Sequence, residues 1–243
     1  MREAEIVSVE ETGSTNDDLK AYVRSVSLEV PRLLVARRQT SGRGTRGRRW
    51  VTDDTSLTFS IALPMETGGG PLTLQPLAAG IGVCRVLRMF GVNAFVKWPN
   101  DIWFDGGKAG GILCESLRDA AGKKIFIAGI GLNAKAGTGK TTHGWPMTGL
   151  GMNIWQSDAG KRAVLVCFAD VLTQICTSEW AQITALWPQF DAFLGKKIYF
   201  QTDTTEIHGT VLGIDETGRL LLRHDGLISA FTSGNFRYDN PTD

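Results

Sequence analysis

Long apolar runs are missing from this chain. No stretch of about 18 consecutive apolar residues occurs, the length that a membrane-crossing helix needs. The first residues, MREAEIVSVEETG, are too acidic and too interrupted for a secretory signal, so a cytoplasmic protein with no membrane partner is expected. Cysteine is sparse: Cys84, Cys114, Cys167 and Cys176 lie in apolar surroundings without a C-x-x-C pair, and the expectation is buried, reduced thiols. Three histidines are scattered, none in an H-x-x-x-H or H-x-E pattern, which argues against a zinc centre and against a Ser-His-Asp arrangement. An excess of one charge is lacking too. A net charge of +1 gives no diffuse electrostatic grip on nucleic acid, so only a local basic patch could serve that role, and no nucleic-acid partner is expected.

What is present is an ordinary folding composition, 42% hydrophobic and 21% charged over 243 residues, enough for one large domain or a large and a small one. The pattern is α+β. EIVSVEETGSTNDDLKAYVRSVSL reads as strand, turn and helix, with Ser14 or Thr15 as cap, Asp17 and Asp18 at the positive helix end, and Leu19, Tyr22, Val23 and Val26 at helical spacing. RLLVARRQ and the alternating SLTFSIAL (Leu57, Phe59, Ile61, Leu63) read as strands, and a buried helix is expected after Pro71 or from Pro76 up to Gly91. Short strands follow (AFVKW, DIWF, KAGGILCESL, KKIFIAGIGL), then helix over 159–194. From Gly195 onward only strands and turns occur, at a spacing that fits a small barrel, giving modules 1–194 and 195–243.

Two glycine loops resemble nucleotide signatures. AKAGTGKTT (134–142) offers Gly139, Lys140 and Thr141 of a P-loop but has Ala134 for the first glycine. Such a loop must feed a helix, and Gly144, Pro146, Gly149 and Gly151 follow; in a helix interior each Gly costs about 1 kcal/mol and Pro about 3 kcal/mol. It is not a P-loop. GRGTRG (Gly42, Gly44, Gly47) satisfies G-x-G-x-x-G, yet Arg48, Arg49, Trp50 and an alternating strand come next, not a helix. What distinguishes it is Arg43, Arg46, Arg48 and Arg49 interleaved with glycine and closed by Trp50. Glycine lets backbone approach an anion, guanidinium groups grip phosphate oxygens, and an indole covers a base. A solvated basic loop would fit the same residues. In VKWPNDIWFDGGKAGGILCES, Pro99 turns between strands and presents Asn100 and Asp101, while Lys108 precedes a stretch of small residues; alone, these also read as a turn and a hairpin charge.

Taken in order, GSTN, RRQTSGRGTRGRRW, KWPNDIWFDGGKAGGIL and GIGLN resemble the biotin protein ligases over nearly the whole chain. The resemblance implies a class II synthetase-like biotin/lipoate ligase fold, a mixed central sheet flanked by helices, with an SH3-like C-terminal β-barrel. It implies that biotin and Mg²⁺-bound ATP give biotinyl-5′-AMP, and that biotin then passes to a lysine of a biotin carboxyl carrier domain. It also implies residue roles. Ser14, Thr15, Asn16, Gln39, Gly42, Arg43, Gly44, Thr45, Lys108 and Gly111 would bind biotin. Arg43, Arg46, Arg48, Trp50, Asn100, Lys108 and Asn133 would bind ATP, with Trp50 over the adenine. Arg43 and Lys108 would stabilise the transition state, and Asp101 would orient the metal, itself held mainly by phosphates, or the incoming lysine. Family members often pair, so a homodimer is among the implied partners. With the chain starting close to GSTN, a ligase without the winged-helix DNA-binding domain is expected. Two departures stand out: Thr45 replaces an arginine of the family pattern GRGRRGR, so weaker adenylate retention is expected, and Gly110 stands where a larger residue is common. The rival readings are a lipoate–protein ligase, a catalytically silent biotin sensor and a nucleic-acid-binding module.

Overall fold

The structure is a computed structural model and describes residues 3–65, 71–137, 140–141, 143–177, 180–202 and 204–237. Seven strands form the central sheet: β1 (Glu5–Thr12), β2 (Arg32–Gln39), β3 (Leu57–Pro64), β4 (Phe95–Lys97), β5 (Asp101–Phe104), β6 (Gly107–Arg118) and β7 (Lys124–Leu132). Their order is β1-β2-β3-β7-β6-β5-β4. β1 and β2 run parallel, connected through helix α1 (Thr15–Ser25), and the other neighbours are antiparallel. The α+β expectation holds.

β3 alternates in sequence, yet every residue from Leu57 to Leu63 is buried. Both faces of the sheet are covered, as in sheets that carry helices on each side. Leu57, Phe59, Ile61 and Leu63 join the large core with helices α2 (Gln75–Met89) and α3 (Asp158–Thr177), and Phe59 meets Phe168 at 4.9 Å. Ala62 joins Leu19, Val23, Ile125 and Ile127 in a smaller core beneath α1. Thr58 and Ser60 share the Ala62 face by alternation, just beyond the N-terminus of α1, and are buried although polar. That is where the site forms.

Helix α1 begins as the sequence indicates, with Asp17 and Asp18 in its first turn, but the Ser14 side chain makes no capping hydrogen bond. Helix α2 starts at Gln75 with Pro76 in its first turn, and the chain turns away at Gly91 (φ +82°). The expected helical stretch 159–194 is broken. α3 ends at Thr177, residues 178–179 lie outside the described residues, and α4 (Trp180–Leu186) gives way to a tight turn at Trp187–Gln189, where Pro188 has no N–H to extend the helix. The four cysteines are free; Cys84 and Cys176 are buried, and burial pushes both thiols up to about 12, whereas Cys114 and Cys167 are partly exposed.

The C-terminal strands β8 (Lys197–Gln201), β9 (Glu206–Ile214), β10 (Leu220–His224), β11 (Leu227–Phe231) and β12 (Asn235–Arg237) form one antiparallel sheet in the order β11-β10-β9-β8-β12. The expected closed barrel is not formed among the described residues. β12 is only three residues long and pairs with β8 alone, which leaves β11 and β12 as edges. This sheet is sewn onto the β4–β5 end of the first by tryptophans: Trp98 Nε1 donates to Gly218 O at 3.0 Å and Trp145 Nε1 to Phe236 O at 2.7 Å. Rings of Trp103, Trp145, Phe193 and Phe236 meet edge-on between them, so one core runs through both sheets.

Candidate active site

Period-two geometry on β7 lays the floor of the site. Ile125 and Ile127 face α1; two and four residues further on, the same face carries Gly129 and Gly131, where the helix has ended. A Cβ at Gly129 would overlap the amide of Asn16, and one at Gly131 would overlap the Trp50 indole. The bare backbone is therefore what admits both side chains. Register places Thr58 on one side of Gly131 and Gly111 on the other, and Ser60 and Leu113 beside Gly129. Above this floor lies a cavity of about 250 Å³.

Thirteen of the expected site residues line that cavity. From α1's start come Ser14, Thr15 and Asn16, from the end of β2 Gln39, and from the arginine loop Arg43, Gly44, Thr45, Arg48 and Trp50. Asn100, Lys108, Gly111 and Asn133 close it from the other side. The buried polar groups are held by one another. Thr15 donates its backbone N–H to Gln39 Oε1 (2.8 Å), its hydroxyl pairs with Ser60 Oγ (2.6 Å), and Ser60 Oγ donates to Asn16 Oδ1 (2.6 Å). Asn16 Nδ2 donates to Glu115 Oε2 (2.8 Å), and the same carboxylate receives Lys20 (2.8 Å) and Arg43 (3.3 Å). Partial burial works against ionisation of Glu115, but the Lys20 and Asn16 hydrogen bonds and the Arg43 charge outweigh it and hold its pKa down. Arg43 also donates to Asp17 at 2.5 Å.

Three expected site residues lie elsewhere. Gly42 sits under the loop, its carbonyl accepting from Trp50 N at 2.9 Å. Arg46 is at the exposed apex in a left-handed conformation (φ 58°), a strained backbone for a residue with a Cβ. Asp101 lines a smaller adjoining cleft together with Lys97, His143 and Asn235, while Arg48, Asn100, Lys108 and Thr141 are shared by both hollows. Asp101 Oδ1 holds Lys108 Nζ at 2.6 Å and its Oδ2 holds Lys97 Nζ at 3.0 Å. Burial opposes its charge, yet the two ammonium groups prevail and bring its pKa down to about 2. With an ammonium on each oxygen, this carboxylate does not fit a metal ligand's role, and no cluster of three metal-binding side chains occurs among the described residues. His143, desolvated and facing Lys97 and Arg48, is held below its ordinary pKa.

Comparison with known proteins points to one family. The family described as Biotin/lipoate A/B protein ligase matches residues 9–134, and the Biotin protein ligase C terminal domain matches residues 193–236. A biotin–[acetyl-CoA-carboxylase] ligase of Paracoccus denitrificans is 32% identical over 223 residues, covering 87% of this chain and 91% of that protein. This chain belongs to the biotin protein ligase family. The bifunctional ligase/repressor BirA of Escherichia coli is 28% identical over 82% of this chain, which spans 64% of that protein's length. A solved biotin protein ligase from Aquifex aeolicus, in complex with biotin and ATP, superposes with a TM-score of 0.75 at 26% identity, covering 96% of this chain and 97% of that one.

Within this family member the sequence reading missed the glycine floor at 129 and 131 and its flanking residues Thr58 and Leu113, which share the cavity face. The alternation in SLTFS and AGIGLN carries that signal, because it puts the small residues of both strands on one face. The AGTGKTT stretch is also nearer than expected. Thr141 lines the cavity wall, Lys140 bridges to Pro146, and residues 138, 139 and 142 lie outside the described residues. At Gly110 the departure from the family pattern has a local reason, since a Cβ there would stand 2.6 Å from Gly131 O and 2.8 Å from Leu132. No helix among the described residues is long and apolar enough to cross a membrane.

Proposed function

We propose that this protein activates biotin with Mg²⁺-bound ATP and transfers it to a lysine of a biotin carboxyl carrier domain. The observation that carries the reading is the gathering of the STN segment, the arginine loop, Lys108 and Asn133 around one cavity, in a chain of the biotin protein ligase family. The bare backbone at Gly111, Gly129 and Gly131, with Leu113 beside it, suits the biotin ring system and valeryl chain, and the Ser14–Thr15–Asn16–Ser60 network offers polar groups of fixed orientation to a ureido ring. Cations at Arg43, Arg48 and Lys108 surround the space where a carboxylate and a triphosphate would meet.

In the first step a biotin carboxylate oxygen attacks the α-phosphorus and the bond to pyrophosphate breaks. Negative charge grows at the α-phosphoryl oxygens, and Lys108, anchored by Asp101, is placed to stabilise it, with Arg43 reaching over from Asp17 and Glu115. Trp50, lying on the Gly111–Gly131 platform, gives an aromatic face for adenine. The metal would be carried by the phosphates, since Asp101 already spans two lysines. In the second step the carrier lysine amine attacks the acyl carbon, AMP leaves, and an amide remains. Residues 1–194 would supply the adenylation chemistry and 195–243 the module that closes its β4–β5 end.

Biotin-dependent ATP–pyrophosphate exchange tests this, with lipoate in parallel. Exchange with biotin alone is expected; exchange with lipoate alone, or biotin binding with no exchange, would overturn the proposal.

A further inference from the structure

Asp101 holds two lysines, and only one of them lines the large cavity. Lys108 does so; Lys97, at the end of β4, is 5% exposed and reaches only the smaller cleft. Its ammonium lies 3.0 Å from Asp101 Oδ2 on one side and 5.3 Å from the centre of the Phe236 ring on the other. Burying an ammonium costs several kcal/mol even when it is paired, and a methionine of similar length would fill the same apolar space against Phe236. The charge at this position therefore asks for a reason beyond packing.

The geometry supplies one. A carboxylate with a single cationic neighbour can turn about its Cβ–Cγ bond and present both oxygens to it. Here the rotation is fixed from both ends, with Lys97 on Oδ2 and Lys108 on Oδ1 at 2.6 Å. The other charged or titratable groups lining the cleft are Arg48 and His143. We infer that Lys97 is a positioning residue for adenylation: by occupying one oxygen of Asp101 it leaves the other to hold the Lys108 ammonium toward the cavity. Without it, Asp101 would draw Lys108 in with both oxygens, away from the reacting phosphate. The far side of Lys97 rests on Phe236, whose carbonyl accepts from Trp145, so the C-terminal sheet is tied to Lys108 through three side chains. The inference rests on the ligase reading and goes beyond it in naming a residue outside the lining of the large cavity.

The test compares wild type, Lys97→Met and Lys97→Arg in biotin-dependent ATP–pyrophosphate exchange, with biotin affinity and melting temperature measured alongside. Misplacement of a reacting group by about 1 Å costs up to about 100-fold, so kcat of Lys97→Met should fall about 10- to 100-fold. KM for biotin should stay within about twofold and melting should not drop, while Lys97→Arg, which keeps a donor on Oδ2, should recover most of kcat. If Lys97→Met does not fold, Lys97→Gln takes its place with the same expectation. Unchanged kcat in the neutral variant, a loss confined to KM, or a loss that Lys97→Arg does not relieve would overturn the inference while leaving the ligase reading intact. A wild type that is silent with biotin would overturn both.

Discussion

The two glycine-rich basic loops of this protein both line one cavity and differ in how they are held. The arginine loop, Gly42 to Trp50, is closed on itself by Trp50 N to Gly42 O (2.9 Å) and Gly44 N to Arg48 O (2.7 Å). Its link to the rest of the molecule runs through side chains, Arg43 to Asp17 and Glu115 and the Trp50 indole to the Gly131 floor. The 134–151 loop is tied by backbone. Lys108 N donates to Pro146 O, Thr148 N to Lys108 O, Leu150 N to Asn133 O and Gly151 N to Ala134 O, each at 2.9 to 3.0 Å. The first loop can exchange its partners for a ligand, because carboxylates and a glycine platform release arginine and indole without unmaking the sheet. The second extends the sheet edge and acts as wall. A glycine motif thus takes its meaning from what anchors it, not from its spacing.

The sharpest way to break this contrast is to remove one cation from each side. Arg43→Ala and Lys108→Ala should each lower the exchange rate by about 10²- to 10³-fold, the scale of losing a donor aimed at developing charge. Lys140→Ala, in the stretch that imitates a P-loop, should stay within about twofold of wild type. Equal losses at Lys140 and Arg43 would show that both loops grip phosphate. Biotin affinity measured by calorimetry should fall far less than the exchange rate in Lys108→Ala, because the larger part of that lysine's contribution is expected at the transition state.

Next in size is the floor the loops face. Gly129→Ala would drive a methyl into the Asn16 amide and break its hydrogen bonds with Ser60 and Glu115. Biotin Kd should rise about tenfold or more, equivalent to ~1.4 kcal/mol, and calorimetry reads it directly. An unchanged Kd would remove Asn16 from the biotin site.

Much of this was legible in the residues. The strands RLLVARRQ and KAGGILCESL and the start of α1 came through because local pattern and tertiary role agree there, and most residues of the site motifs line one cavity. Legibility failed where a second layer decides. SLTFSIAL alternates like a one-sided strand but is buried on both faces, since α1 covers one and α2 with α3 the other. The resemblance gives Asp101 as an orienter of the metal or of the incoming lysine, and the fold adds what no motif shows, that Lys97 and Lys108 take its two oxygens. The closed barrel was inferred from strand spacing, whereas closure depends on whether β12 is long enough to reach β11.

The backbone-tied loop should answer to packing in place of charge. At Gly149 an added Cβ would overlap the backbone of Lys135 and Ala136. Gly149→Ala should cost about 1–3 kcal/mol of stability by overpacking, seen as a lower denaturation midpoint, with exchange per folded molecule little changed. A large activity loss at full stability would mean that this loop moves during turnover.

The smallest expected effect returns to the arginine loop. Thr45 lines the cavity where the family pattern carries an arginine, and its carbonyl and hydroxyl oxygens both accept from the Arg48 guanidinium at 3.3 Å. Thr45→Arg removes the hydroxyl acceptor, loosening Arg48 from its own loop, and adds a second guanidinium at the cavity wall. Both changes strengthen the hold on an adenylate phosphate, so release of biotinyl-5′-AMP should slow by about three- to tenfold, roughly one charge-assisted hydrogen bond at a partly solvated site. The off-rate is read by chasing preformed adenylate with excess biotin and ATP. Slower release with an unchanged exchange rate places position 45 against the bound product alone. Unchanged release would mean that the 45–48 segment faces solvent once ligand is bound, and that Arg43 and Trp50 do the holding.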